Sequence, residues 1–136
     1  TLLWRSTKIL SAVFSPIPLI RFNEGKSLCE KGLQHAIKIN DLLTIAMSEI
    51  NYSVLFCHKG DGMSALKHAK EALILSEKKS SIPALMGLIY CALGWSYLTN
   101  EDHQNSQKYL EKGITMYHES GMELFAHFFK VFLSYI

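Results

Sequence analysis

Cys57 and His58 stand side by side, a thiol next to an imidazole, the two residue types most able to supply a nucleophile or grip a metal. Neighbouring residues on a helix point about 100° apart, so one metal ion does not easily take both. The six histidines (His35, His58, His68, His103, His118 and His127) include no HxxxH pair on one helix with a carboxylate between. Lys59-Gly60-Asp61-Gly62 has glycines but not the GxxxxGK[ST] spacing of a phosphate loop, and it reads as a turn between helices. Asp61, Glu101 and Asp102 fall in turns, where carboxylates are solvated. No nucleophile has a base and an orienting third group assigned to it. The expectation is no catalytic residue, no cofactor and no metal site, hence no enzyme in this segment.

The composition agrees with a binding or structural role. Of 136 residues, 49% are hydrophobic and 19% charged, which suits a folded core rather than a disordered tail. The formal charge is +2 with basic residues scattered, so no stripe exists to track a nucleic-acid backbone. Three widely spaced cysteines, Cys29, Cys57 and Cys91, suit buried thiols in a reducing, cytoplasmic setting. No basic-then-apolar leader opens the sequence. Its apolar final segment, without a cap, reads as part of a longer chain. From Ile82 to Leu98 there is no charge, a run at the low edge of the ~17–25 residues that cross a bilayer. A helix buried on several sides accounts for the same residues, and no membrane contact is expected.

Periodicity then supplies the elements that would position these residues. Seven helices are expected, at about 2–15, 20–38, 41–58, 62–78, 82–99, 103–119 and from 122 onward. Asn40 or Asp41 could cap the third, Pro83 suits the first turn of the fifth, and Gly121 can stop the sixth. In the fourth helix Ala65, Leu66, Ala69, Ala72, Leu73 and Ser76 share one face. In the sixth, Leu110, Ile114 and Tyr117 point inward.

An internal period underlies this order. Cys29-Glu30-Lys31-Gly32, Ala69-Lys70-Glu71-Ala72 and Leu110-Glu111-Lys112-Gly113 share one character, 40 and then 41 residues apart. Ala12, Ser53 and Gly94 are small residues 41 apart in mid-helix, where they let a neighbouring helix come close. Leu93-Gly94-x-x-Tyr97 resembles the first-helix signature of a tetratricopeptide repeat. Gly60-Asp61-x-x-x-Ala65-x-x-x-Ala69-x-x-Ala72 resembles its turn and second helix. Ser106 and Gly113 depart from the usual alanines, and the proline that ends a unit is missing. The period exceeds the usual 34 and resembles maltose-regulator-type repeats. Over about residues 60–136 the pattern is similar to the repeat region of bacterial predicted ATPases linked to class III adenylate/guanylate cyclases.

That resemblance implies an all-α, right-handed solenoid of antiparallel helix pairs, with repeats at about 1–40, 41–80 and 81–121 and a partial one at 122–136. It implies a non-catalytic scaffold in a bacterial signalling protein, any ATPase or cyclase module lying outside this segment. The expected partner is a protein: a peptide or helix in a concave groove, neighbouring domains of a parent chain, or a second copy in a homodimer. Taking Ser53 and Gly94 as equivalent, the groove falls at Met47, Ile50, Val54 and His58, then Leu88, Cys91, Trp95 and Leu98, with Tyr135 continuing the line. Ala12, Ser53, Gly94, Ala65, Ala69, Ala72 and Gly113 are the expected packing positions. The alternative is a sensor segment that encloses a small apolar ligand near Trp95 and Cys91.

Overall fold

A computed structural model describes residues 22–78 and 83–136. They form six helices: α1 (Phe22–Lys38), α2 (Leu42–Lys59), α3 (Gly62–Glu77), α4 (Pro83–Thr99), α5 (His103–Glu119) and α6 (Glu123–Leu133). No described residue lies in a strand. The protein is all-α over this span. These helices correspond to the second through seventh of the expected set. The expected first helix, at about 2–15 and containing Ala12, lies outside the described residues.

Four connections reverse the chain in the same way. Asn40, Gly60, Glu101 and Gly121 each take a left-handed conformation, with φ of 52°, 83°, 61° and 71°. The following amide then reaches back across the helix end: Asp41 N–H to Ala36 O (3.2 Å), Asp61 to Phe56 (3.0 Å), Asp102 to Tyr97 (2.9 Å) and Met122 to Tyr117 (2.8 Å). This bridge satisfies a carbonyl that the ended helix leaves open. Glycine meets the backbone demand without steric cost at Gly60, whereas Glu101 meets it against the preference of a side-chain-bearing residue.

The residue after the reversal caps the next helix. Asp41 accepts from Leu43 N–H (3.2 Å). Asp61 accepts from the amide (3.1 Å) and hydroxyl (2.8 Å) of Ser64. Asp102 does the same with the amide (3.1 Å) and side-chain amide (2.7 Å) of Asn105. Before α6 the position is Met122, which offers no side-chain cap. Helix start and helix stop are thus local chemistry, three residues long.

Each helix packs on its sequence neighbours, and α2 also packs on α4. Helix α4 is the most enclosed element: Ile89, Cys91, Ala92, Leu93 and Ser96 are all essentially inaccessible. That enclosure by α2, α3 and α5 explains the uncharged run that begins at Ile82. Among the described residues, no helix is long and apolar enough to cross a membrane.

The tightest approach is between α4 and α5. A Cβ at Gly94 would stand 2.5 Å from Leu110 Cγ and 2.8 Å from the Leu110 backbone nitrogen. A Cβ at Gly113 would stand 2.5 Å from Cys91 Sγ and 2.8 Å from Gly87 O. Ser106, the departure from alanine, donates its hydroxyl to Gly94 O (2.7 Å) and so stitches the same two helices. In α3 the corresponding face is Ala65, Ala69 and Ala72, all fully buried. The aromatic pairs recur too. Phe56 and His68 stack at 5.6 Å and 4° between planes; Tyr97 and Tyr109, each 41 positions later, stack at 5.5 Å and 6°.

Two outcomes follow from this packing. Gly94→Ala should lower the unfolding free energy by about 2 kcal/mol through overpacking, although alanine is the better helix former by ~1 kcal/mol. Urea unfolding that shows equal or greater stability would contradict the close approach. The second concerns acid. Hydrogen bonds from Ser64 and Asn105 hold the Asp61 and Asp102 carboxyls below their usual values. A lowered folded value contributes stability above the unfolded pKa and loses it as pH falls through the folded one. The melting temperature should therefore drop on acidification below about pH 4. In Asp61→Asn/Asp102→Asn, which keeps a capping oxygen but does not titrate, that drop should be shallower.

Candidate functional site

Helices α2, α4 and α6 carry the residues expected to line a groove, and the structure divides them into three groups. Ile50, Val54 and Cys91 are fully buried, and Leu88 and Trp95 are nearly so. Met47, His58 and Leu98 are half-buried. Tyr135, just past α6, is 69% exposed. An open apolar trough along α2 and α4 is therefore not what these side chains form. Cys91 turns its sulfur toward the Gly113 backbone of α5. It belongs to the helix-pair contact rather than to a surface.

Trp95 acts as an anchor inside the fold. The His58 imidazole meets its ring edge-on at 4.8 Å, and Phe132 lies tilted against it at 4.7 Å. One indole thus joins α2, α4 and α6. His58 and Phe132 lie against Trp95, and α5 lies against Cys91.

Ser53 is a packing position with a second role. Its hydroxyl meets that of Ser96 at 3.1 Å, in a fully buried contact between α2 and α4. Ser96 also donates to Ala92 O (2.7 Å), and Cys57 Sγ lies 3.6 Å from the Ser96 oxygen. Two hydroxyls and a thiol satisfy one another in an interior that would penalise any left alone. Nothing here activates Cys57. Its neighbour His58 is turned to Trp95, and burial pushes the Cys57 thiol up to about 12, although Ser96 and Thr99 bond to it. Burial does the same to Cys29, up to about 12, and raises Cys91 further. A thiol held neutral by burial is a weak nucleophile at ordinary pH.

Two pairs of ionisable groups tie helices together. Glu49 on α2 bonds His68 Nδ1 on α3, and the His68 ring stacks on Tyr52 at 4.8 Å. Glu123 pairs with His118 Nδ1 at the α5–α6 turn, which holds its carboxyl below the usual value. Among the described residues no group of three or more histidines, cysteines and carboxylates could hold a metal ion.

Sequence reasoning missed the most exposed apolar surface. On α6, Leu124 (82%), Phe125 (39%), Phe128 (42%) and Val131 (56%) stand open, and Tyr135 follows just past the helix. The four- and three-residue spacing of Leu124, Phe128 and Val131 was the available signal. Of these residues only Tyr135 is singled out by the repeat register. No family model, no curated protein and no solved structure matches this chain.

The buried thiols give a direct check. In the native protein, Cys57 and Cys91 should be silent toward a thiol-reactive dye at neutral pH and should label fully once urea unfolds the chain. Rapid labelling of the native state would mean that the interior at α4 is open.

Proposed function

We propose that this chain is a section of a right-handed stack of helix pairs, related to tetratricopeptide and maltose-regulator-type repeats, which makes protein contacts and carries out no catalysis. The reading is supported by recurrence. The pairs α2–α3 and α4–α5 repeat the same reversal, the same aspartate cap and the same ring stack at a 41-residue interval. The packing of α2 on α4 supplies the link from one pair to the next. Stacked pairs that touch only their neighbours and expose a row of first helices are an interaction architecture.

On this reading the partner is a protein, and the contact surface is the row of first helices at its accessible positions: Met47, His58, Leu98, Leu124, Phe128 and Tyr135. The observation that carries the reading is the exposed apolar line on α6, since monomeric proteins rarely leave large apolar patches open. The parent protein is a bacterial cytoplasmic regulator on the strength of the sequence resemblance, with any nucleotide chemistry in other modules.

Cross-linking in the source cells tests the surface. Met47→Asp and Tyr135→Asp should each reduce capture of the cross-linked protein at least about tenfold, as expected for a contact worth about 1.4 kcal/mol or more. Met63→Asp, on the exposed face of α3 (82%), should leave it unchanged. Equal capture by all three variants would overturn the assignment of the surface.

A further inference from the structure

The sequence scatters its basic residues, but the fold gathers three of them beside three tyrosines. Tyr90 and Tyr97 stand two turns apart on one side of α4, and Tyr109 of α5 stacks on both, at 6.1 and 5.5 Å. An ammonium group lies over each ring: Lys112 over Tyr90 (4.2 Å), Lys108 over Tyr109 (5.5 Å) and Lys70 over Tyr97 (6.0 Å). The lysines are exposed and the rings half-buried. Helices α3, α4 and α5 thus contribute to one face. It lies on the side of α4 away from Trp95, because Tyr90 and Tyr97 fall about 140–160° round the helix from that residue.

The charges on this face are not neutralised from within. Among the described residues the ion pairs join histidine to glutamate, and none takes up Lys70, Lys108 or Lys112. Helix α4 carries no charged residue. On α5, Glu111 accepts from Gln107 (2.9 Å), and Asp102 is engaged with Asn105 as the cap. Glu71 follows Lys70 but points about 100° away from it. Glu119, two turns beyond Lys112, ends the basic stretch.

Helix pairing does not require this chemistry. In the preceding pair Phe56 and His68 make the same ring stack. There, 41 positions earlier, Glu49 stands in the place of Tyr90 and Glu71 in the place of Lys112. The packing is met with acidic residues in one pair and with a ring and an ammonium in the other, so the basic, aromatic character belongs to α4–α5 alone.

We infer that this face docks an extended acidic segment of a partner protein, its side-chain carboxylates set against Lys108, Lys112 and Lys70. Lys108 and Lys112, four positions apart, are separated by about 6 Å along α5. Alternate side chains of an extended strand are about 6.6 Å apart, so a Glu-x-Glu run laid along α5 meets both. The rings hold the ammonium groups in position by cation–π attraction, which reduces the ordering cost of binding. A single-stranded nucleic acid fits less well. Its bases need open ring faces, and each ring here already has a tyrosine neighbour and an ammonium. The face is separate from the accessible first-helix positions proposed above, so either surface stands without the other.

The test is an NMR titration of the isotope-labelled full chain, at low salt, with a short peptide of alternating glutamate and serine. Amide shifts should cluster around Tyr90, Tyr97 and Tyr109, and binding should weaken as salt is raised. Lys108→Glu/Lys112→Glu should raise the apparent Kd at least about tenfold. Lys31→Glu/Lys130→Glu, which changes the net charge equally at exposed sites on α1 and α6, should bind as the wild type does. Met47→Asp, aimed at the first-helix surface, should also leave peptide binding unchanged. Circular dichroism verifies that each variant folds. Equal loss in the two double variants would signal a general charge effect and overturn the inference. So would shifts dispersed over all the helices, no binding, equal binding of the glutamine–serine peptide, or tighter binding of single-stranded oligothymidylate at the same face.

Discussion

The contact on which the rest of the structure depends is backbone against side chain where α4 meets α5. Gly94 and Gly113 supply no side chains there, and Leu110 and Cys91 move into the vacated volume. Close approach lets Ser106 reach the Gly94 carbonyl, and it holds Tyr97 flat against Tyr109. It also fixes how far α5 stands from the core, and hence where the turn at Gly121 delivers α6. A bulkier interface would tilt α5 away and carry the Tyr117 ring off Phe125 and Phe129. Dispersion at such distances is small per atom pair and large in sum.

Polar groups do a different job in the same interior. Ser53 and Ser96 bond each other between α2 and α4, at a place where two apolar side chains would pack as well. Hydroxyls that must meet define one offset between two otherwise greasy helices, since any slip leaves both unsatisfied. Glu49 with His68 performs the comparable task between α2 and α3, nearer the surface. Apolar burial brings the helices together, and these few contacts select the alignment.

Much of the helix layout was legible in the sequence, because its boundaries are written in local chemistry. Asp41, Asp61 and Asp102 cap, and Gly60 and Gly121 reverse the chain, so bounds expected at 62 and 103 match α3 and α5. The close-packing glycines were legible for a similar reason: a glycine in mid-helix has few other uses. The groove was not. Periodicity says that Val54, Cys91 and Trp95 are apolar and shared by one side of a helix, yet it does not say which neighbour each one meets. Cys91 meets α5, whereas Trp95 meets α2 and α6. The Ser53–Ser96 bond spans 43 residues, and a small polar residue reads in sequence as a mere spacer. Outside the polar stripe of Glu123, His127 and Lys130, helix α6 is apolar throughout, so periodicity alone does not separate its exposed apolar residues from its buried ones.

The order in which the helices touch has a bearing on how the chain comes apart. Among the described residues, every substantial contact joins a helix to the next, or to the next but one. Contacts so close in sequence require little loop closure before they form, which favours fast folding and lets structure begin at more than one place. The same property spreads stability unevenly: α6 leans on α5 and on one indole, whereas α4 is held on three sides. Opening can then start at α6 and proceed inward one hairpin at a time, so amide protons near Ile89 would be the last to exchange. An array built this way is a graded spring rather than a single latch, stiff around α4 and compliant at α6, the helix that carries its exposed apolar line.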